Sequence, residues 1–480
     1  MARRWWTLVA VGLATFMSYL DNNVTNVAIP TIQRNLHLSL ASLEWVVSSY
    51  VLMFAGLLLV GGQVADVTGR RRMFFIGLTI FTLASLAAGL AGSGGMLIGA
   101  RVVQGLGAAL LAPTTLATIM ATFDDAKERT AAIGAMTGCA AMALALGPLI
   151  GGLISQHLHW GWIFFINVPV GAIALAIAAV AMDDSRDPAA ARRFDFPGMI
   201  ASSVTLLALT YGLIEGHDEG WTAPIIVGAF ALAAAAAIAF GVIETHALRP
   251  MVAMKLFRSP VFSGGTVTMM LWAFGIFGIY FFTSIYLQDI LGFSPTRAGL
   301  AFVPMAVFLA AAASVAGPIS RRFGAHRIIA AGMAMMAAGA YLISVLGAGA
   351  TFGGLMPGFL LFGIGAGLMQ VPLANCVLHS QPAERSGIAA ALLHASREVA
   401  GLLGITVIGA VLRSGQGAAL QHGASPAHAY LDGYHIGLLV TVALVSVGTA
   451  ISFFTLRPAT RTAAAPAGPD SAALAESGNR

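Results

Sequence analysis

Fourteen long apolar segments dominate this sequence, and each is close to the roughly 20 residues that a helix needs to cross a bilayer. Of the 480 residues, 58% are hydrophobic and 9% are charged, whereas a soluble domain carries about 25% charged residues. The chain has too little polar surface for a soluble protein, so we predict an all-α integral membrane protein. The predicted membrane helices are Trp6–Ile29, Trp45–Val64, Met73–Ala91, Met96–Met120, Thr130–Ile154, Ile163–Met182, Pro197–Ile214, Pro224–Ile243, Phe262–Leu287, Ala298–Ile319, Ile328–Leu346, Gly354–Leu378, Ile388–Leu412 and Tyr434–Leu456.

The first apolar segment follows the start MARR and could be mistaken for a secretory signal peptide. It is long for the apolar region of a signal, contains Asp21, and has no clear cleavage site of small residues. We therefore interpret it as the first membrane helix.

The basic residues mark one side of the membrane. When the N-terminus is placed inside, 20 of the 25 Lys and Arg residues fall in inside segments, and Arg34, Arg297 and Arg413 fall outside. Arg101 and Arg397 lie within helices. This imbalance follows the positive-inside rule, so both termini are predicted to be cytoplasmic. It also accounts for the net charge of +5 without a nucleic-acid partner.

The two halves of the sequence resemble each other at an offset of 255 residues. Gly62 then falls on Gly317 and Gly69 falls on Gly324. The first five helices fall on helices nine to thirteen, and the register slips only in a predicted loop from residue 413 to residue 433. Parallel repeats related by an axis along the membrane normal are the plan of one large class of transporters.

This repeat predicts four regions of the chain. Residues 1–182 are expected to form an N-terminal six-helix bundle, and residues 256–456 a C-terminal six-helix bundle. Residues 183–255 form a linker that contains helices seven and eight. Residues 457–480 are rich in Ala and Pro and are predicted to be a disordered cytoplasmic tail.

Several motifs now resemble a known family. GGQVADVTGRRRMF (61–74) is similar to the loop signature of the major facilitator superfamily, RVVQGLGAA (101–109) to the helix-four motif of its proton antiporters, and LGPLIGG (146–152) to their helix-five motif. With fourteen helices, DNNVTNVAIP (21–30) and WIFFINVPVG (162–171) resemble the drug:proton antiporter-2 family of multidrug exporters. The resemblance runs from about residue 8 to residue 457 and implies a major facilitator fold: two pseudo-symmetric six-helix bundles plus two extra central helices.

The sequence departs from the family's pattern at three places. Asn23 and Thr25 replace the usual Thr and Val of helix one, and Gly161 replaces an Arg before helix six. In helix thirteen, His394 and Glu398 stand where the family has Asn and Gln. These departures concern substrate range and coupling rather than the fold.

The stretch 61–74 is predicted to be a short cytoplasmic turn that acts in gating. Gly62 and Gly69 allow tight backbone geometry, and Arg70 to Arg72 satisfy the inside rule and can reach lipid phosphates. The resemblance implies that Asp66 is part of a latch that holds the two halves together when the transporter is open to the outside. The alternative is an ordinary helix-end cap beside an Arg cluster.

A second candidate for gating lies in helix five. Pro148 removes a backbone hydrogen bond, and Gly147, Gly151 and Gly152 allow close helix approach. The resemblance implies that this bend blocks leak and permits rocking of the halves; the alternative is tight packing alone.

Polar residues within helices one and four are candidates for proton coupling and substrate binding. Asp21 lies well within helix one, where an ionisable group is costly and indicates function. Arg101 begins the polar face of helix four, and the resemblance implies that it acts in proton coupling by shifting the pKa of a nearby acid. Asn26 and Gln104, on the same two helices, are candidate substrate ligands. The alternatives are a wetted helix-end acid and a snorkelling Arg.

Helix thirteen carries a third polar group. His394 and Glu398 are four residues apart and share a helix face. We predict that they form a coupled pair that carries protons or recognises a cation. The alternative is a neutral polar contact between helices.

Together with the resemblance, these residues predict a secondary transporter of the bacterial cytoplasmic membrane that exports hydrophobic or cationic drugs, antibiotics or secondary metabolites in exchange for protons. The alternative is a metabolite:proton symporter that works in uptake. A membrane enzyme or a receptor is disfavoured, because the sequence has no convergent catalytic set, no P-loop and no large soluble domain. Cys139 and Cys376 lie in apolar runs and imply no zinc site. No cofactor or metal is expected, and the protein is predicted to be a monomer.

Overall fold

The computed structural model describes residues 2–185, 195–247, 254–381 and 386–457, together with residues 250 and 252. The described chain forms long helices, and the predicted all-α fold of fourteen membrane crossings is confirmed. Short α6 and α7 follow one another and make the sixth crossing. The helices are α1 (Ala2–Leu36), α2 (Leu40–Thr68), α3 (Arg70–Gly89), α4 (Gly94–Thr122), α5 (Ala126–His157), α6 (Trp162–Phe165), α7 (Asn167–Ala181), α8 (Phe196–Glu219), α9 (Pro224–His246), α10 (Pro260–Ile285), α11 (Pro295–Phe323), α12 (Ala325–Ser344), α13 (Phe352–His379), α14 (Ser386–Gln421) and α15 (Pro426–Thr455).

Helix α1 differs from the other crossings in its polarity. Thirteen spans of the described chain are long and apolar enough to cross a membrane by composition alone, and α1 is not among them. Its polar run from Asp21 to Asn26 lowers its hydropathy. Asp21, Val24 and Val27 are nevertheless buried, so this part of the helix faces protein rather than lipid. A polar membrane helix is stable in such a position because neighbouring helices satisfy its polar groups.

The repeat of 255 residues is visible in the bounds of the helices. Helices α2 and α11 begin and end at positions separated by this offset, and so do α3 and α12. The turns between them use a glycine with positive φ: 115° at Gly69 and 90° at Gly324. Each glycine N–H donates to a carbonyl four residues earlier, at 3.0 and 2.9 Å. Only glycine adopts this backbone at little cost.

Each bundle is held by close helix pairs. In the N-terminal bundle α4 packs on α2 and α3 while α1 packs on α5, and in the C-terminal bundle α13 packs on α11 and α12 while α10 packs on α14. Small residues allow these approaches: a Cβ on Gly107 would lie 2.6 Å from the Phe81 nitrogen, and one on Gly339 would lie 2.5 Å from the Phe362 nitrogen. Packing of small residues is a main source of helix association within membranes.

The two extra helices lie outside the bundles. Helix α9 packs mainly on α8, and most of its side chains face outward. Helix α8 also contacts α2 of the N-terminal bundle and α14 of the C-terminal bundle. It therefore lies across the line where the two bundles meet.

Helix α14 corrects one prediction. The segment from residue 413 to residue 433 was expected to be a loop with Arg413 outside, but α14 continues to Gln421 and α15 begins at Pro426. Arg413 is 5% exposed and is held by contacts with α2 and α8. These tertiary contacts outweigh the Gly and Ser residues that favour a loop locally. The predicted disordered tail lies outside the described residues, apart from Arg457.

The two membrane faces of the molecule differ in how the bundles meet. We call the face with the Gly69 and Gly324 turns the basic face, and the other the opposite face. At the opposite face, Gln288 Nε2 donates to the Val27 carbonyl at 2.8 Å, and the Thr296 N–H donates to Gln156 Oε1 at 3.2 Å. In the part of the chain that the structure describes, no hydrogen bond or ion pair joins the bundles near the basic face. The bundles are therefore closed at the opposite face.

Candidate functional site

A buried polar network surrounds Asp21 in the middle of α1. The Asp21 side chain is 1% exposed. Its Oδ2 accepts from Arg101 Nη1 at 2.5 Å, and its Oδ1 accepts from Gln104 Nε2 at 2.7 Å and from Asn167 Nδ2 at 2.8 Å. The fold thus brings together three of the predicted site residues, Asp21, Arg101 and Gln104, from α1 and α4.

The Arg101 guanidinium is fixed on several sides. Its Nε donates to the Val46 carbonyl at 3.1 Å, and its Nη1 donates to Gln104 Oε1 at 2.8 Å. Its Cζ lies 4.3 Å from the centre of the Tyr50 ring, a cation–π contact. A buried charge is tolerated when it is paired and hydrogen-bonded in this way. The ion pair with Asp21 is therefore the central electrostatic element of the N-terminal bundle.

Sequence reasoning missed two members of this network, Asn167 and Ser85. Asn167 begins α7 directly after the break that separates α6 from α7. Ser85 Oγ accepts from Gln104 Nε2 at 2.9 Å and from Asn167 Nδ2 at 3.3 Å. Asn167 stands within the motif at 162–171, so the signal was present. A single Ser or Asn in an apolar run does not reveal which distant acid it binds.

The two predicted substrate ligands lie in different places. Gln104 is fully buried, and both of its polar atoms are engaged by Asp21, Ser85 and Arg101, so it has no free group for a substrate in this conformation. Asn26 lies farther along α1, and its buried Oδ1 has no partner among the described residues. Gln104 and Asn26 are therefore not parts of one contact network.

A second polar cluster lies on α14. Glu398 is buried, and its Oε1 lies 3.7 Å from Arg397 Nε. The Arg397 Cζ lies 5.5 Å from the centre of the Trp272 ring on α10, and the Tyr19 side chain of α1 lies beside Arg397. The cluster is thus shared between the two bundles.

The predicted pair of His394 and Glu398 is not formed in this structure. The acid lies beside Arg397, and the described residues contain no ion pair between His394 and Glu398. The long Arg side chain reaches round the helix to its neighbour, whereas the imidazole of His394 is exposed. The Tyr50 ring, which contacts Arg101, is close enough to interact with the charges of both Asp21 and Glu398.

The glycines of the helix-five motif lie against two other helices. A Cβ on Gly147 would lie 2.5 Å from Asn23 Cβ, and one on Gly151 would lie 2.7 Å from the Val24 carbonyl oxygen of α1. On the other side, a Cβ on Gly152 would lie 2.9 Å from the Pro295 carbonyl carbon, and one on Gly299 would lie 2.9 Å from that of Pro148. The motif is therefore in backbone contact with α11, across the boundary between the bundles.

The residues of the 61–74 turn are held within the N-terminal half. Asp66 is 42% exposed at its side chain, and its Oδ1 accepts from Arg70 Nη2 at 3.1 Å. The Arg70 backbone N–H donates to the Ser185 carbonyl at 3.0 Å. A Cβ on Gly62 would lie 3.5 Å from Pro113 on α4, which is ordinary contact. The described contacts of Asp66 thus lie within its own turn, while the opposite face is closed.

Comparisons with known proteins agree with this architecture. The profile of the Major Facilitator Superfamily matches residues 11–405. The tetracenomycin C resistance and export protein of Streptomyces glaucescens is 36% identical over 412 residues, covering 86% of this chain and 76% of that protein. The puromycin resistance protein of Streptomyces alboniger is 35% identical over 446 residues, covering 92% and 88%.

A further relative and a solved structure extend the comparison. The cephamycin export protein of Amycolatopsis lactamdurans is 37% identical over 412 residues, covering 85% of each chain. The crystal structure of a bacterial homologue of the human lysosomal transporter Spinster is similar in fold, with a TM-score of 0.68, 18% identity, and coverage of 95% and 97%. The predicted resemblance to drug exporters is confirmed, and this multi-pass membrane protein belongs to the Major Facilitator Superfamily.

Proposed function

We propose that this protein exports hydrophobic or cationic drugs, antibiotics or secondary metabolites across the bacterial cytoplasmic membrane in exchange for protons. The related resistance and export proteins support the efflux of small molecules. The observation that carries the proton coupling is the buried pair of Asp21 and Arg101, with Gln104 and Asn167 completing the shell of the acid. Burying an ionisable group within a membrane helix costs free energy, so its presence indicates a function.

The geometry of this pair supports proton coupling. A proton on Asp21 removes the negative charge that holds Arg101, Gln104 and Asn167 around one carboxylate. The three donors come from α4 and α7. The relative stability of the conformations of the N-terminal bundle therefore changes when Asp21 gains or loses a proton. A drug that prefers the other arrangement acts on the same equilibrium, and each ligand thereby drives the other. Moving one charge through 100 mV supplies about 2.3 kcal/mol.

We assign the basic face to the cytoplasm, which places both termini there, as the positive-inside rule requires. The contacts along the opposite face then support an inward-facing conformation, the state in which an exporter takes up its substrate. The bundles, residues 1–182 and 256–456, rock around a site at the membrane midplane, as a monomer, with residues 183–255 as linker. In the outward-open state, Asp66 with Gly62, Gly69 and Arg70 acts as the cytoplasmic latch.

We place substrate contact between the two polar clusters. The C-terminal bundle contributes the partly buried Arg397 guanidinium, together with the buried Trp272 ring and the buried Glu398 carboxylate. His394 is exposed beside them, and Asn26 keeps a buried oxygen without a partner in the described chain. An aromatic ring and an acid favour a cationic substrate, and Glu398 and His394 are also candidates for a second proton site.

The test is the efflux of ethidium from cells that express the protein, with and without an uncoupler. We expect efflux that the uncoupler abolishes, and loss of that efflux in Asp21→Asn, because the amide cannot exchange a proton. Asp432→Asn is the matched control, since Asp432 is an exposed acid of α15, and it should retain parental efflux. Parental efflux in Asp21→Asn would refute the role of the acid, and uncoupler-sensitive accumulation of drug would favour the uptake symporter.

A further inference from the structure

A buried ion pair joins the bundles near the opposite face. Glu44, in the second turn of α2, is 0% exposed, and Arg413 of α14 is 5% exposed. Arg413 Nη1 donates to Glu44 Oε1. The residues come from different bundles and are 369 positions apart in the sequence.

Helix α8 completes this site from a third direction. Arg413 Nη2 donates to the carbonyls of Leu213 at 3.2 Å and Ile214 at 2.9 Å. One residue farther along α8, Glu215 Oε1 accepts from Trp45 Nε1 of α2 at 2.7 Å. Through these contacts α8 is bound to both bundles at the depth of the ion pair.

Because the pair of Glu44 and Arg413 is buried, it affects the balance between the open and closed opposite face more than an exposed pair does. When the opposite face opens, α2 and α14 must separate, and both charges exchange a partner for water. If one charge is removed, the other is buried without its partner as long as the face is closed, and it reaches water when the face opens. The substitution therefore strongly destabilises the closed state. The ion pair between Arg34 and Asp289 joins the same bundles at the same face, but its side chains are 55% and 33% exposed. Such a pair contributes little.

We propose that Glu44, Arg413 and the end of α8 from Leu213 to Glu215 form a charged gate that holds the opposite face closed. The gate gives the extra helix α8 a function in transport, because α8 holds Arg413 in place and binds the bundle that carries Glu44. Its role in export rests on the proposed function, but the closing of this face can be measured without drug or a proton gradient.

The test measures opening of each face by electron–electron distance measurements between spin labels, on a background with Cys139→Ser and Cys376→Ser. One label pair, at Gly92→Cys and Ala348→Cys, spans the opposite face, and both positions are exposed. A second pair, at Asp124→Cys and His379→Cys, is exposed at the basic face. The purified full chain is measured without drug or proton gradient.

Glu44→Gln and Arg413→Gln are each expected to raise the ratio of open to closed opposite face roughly a hundredfold. The label pair at the basic face should shorten in the same samples. Arg34→Gln is the matched control, and we expect it to change the ratio less than about fivefold. Parental distances in both Glu44→Gln and Arg413→Gln would overturn the gate, and an equal shift in Arg34→Gln would overturn the argument from burial.

Two milder variants keep the proposal testable if the neutral variants do not fold. Arg413→Lys keeps the charge but lacks the planar fork that reaches both Glu44 and α8, so an intermediate opening is expected. Trp45→Phe removes the contact with Glu215 and leaves the ion pair intact. We expect a smaller increase in the ratio of open to closed opposite face, and an unchanged ratio would refute the role of α8 in the gate. Because the distances need no substrate, loss of ethidium efflux alone would refute the proposed function and not the gate.

Discussion

The substitution Gly152→Ala tests the contact between the bundles most directly. Gly152 of α5 lies against the backbone of α11 at the opposite face, where a Cβ would be 2.9 Å from both the Pro295 carbonyl carbon and the Thr296 Cα. Carbon atoms in favourable contact are about 3.5–4.0 Å apart. Since the obstructing atoms are backbone, no side chain can turn away, and α5 and α11 must separate by about 1 Å.

The size of the effect follows from this overlap. Adding a methylene to a well-packed site costs about 1–3 kcal/mol, and this cost applies only while the opposite face is closed. The intrinsic gain of Ala over Gly in a helix, about 1 kcal/mol, is the same in both conformations and cancels. We therefore expect the ratio of open to closed opposite face to rise about 5- to 150-fold.

The assay uses the spin-label pair at Gly92→Cys and Ala348→Cys, with drug efflux as the functional readout. Gly138→Ala is the matched control, because Gly138 lies on the same helix and a Cβ there would meet no atom within 4 Å. The control should keep parental distances and efflux. If Gly152→Ala gives the same distances as Gly138→Ala, the close approach of α5 and α11 does not govern the closed state, and the reasoning fails.

Three further changes address the turn and the two clusters. Gly69→Ala should lower stability by about 1–3 kcal/mol, because φ is 115° there; a thermal unfolding midpoint equal to the parent's would contradict this. Asn167→Ala removes one donor to Asp21 and should lower the free energy of unfolding by about 1–3 kcal/mol. It should also slow proton-driven efflux in vesicles, and a parental rate would argue against a role for Asn167. Glu398→Gln should weaken efflux of cationic ethidium more than that of a neutral drug, since Arg397 then loses its acid; equal effects on both drugs would remove Glu398 from cation recognition.

The hydropathy of the chain was sufficient to predict thirteen of the crossings, because a bilayer admits few structures other than apolar helices of a fixed length. The crossing of α1 was predicted despite its polar run. The glycines of the repeat were informative for the same kind of reason. Gly69 and Gly324 lie in turns that need positive φ. This local requirement is visible in the sequence as a glycine at a single position of each turn. The polar residues Asp21 and Arg101 were also visible, since charge within an apolar run has few structural explanations.

The partners of those charges were decided by the tertiary structure alone. Asp21 meets Asn167 across 146 residues, and Arg413, which the sequence placed in an outer loop, meets Glu44 across 369. The i, i+4 spacing predicted a pair of His394 and Glu398, but the acid lies beside Arg397. Local rules fix which residues form helices and which positions need glycine. The pairing of buried polar groups depends on how helices distant in sequence approach one another, and this geometry is set by the packing of the whole molecule.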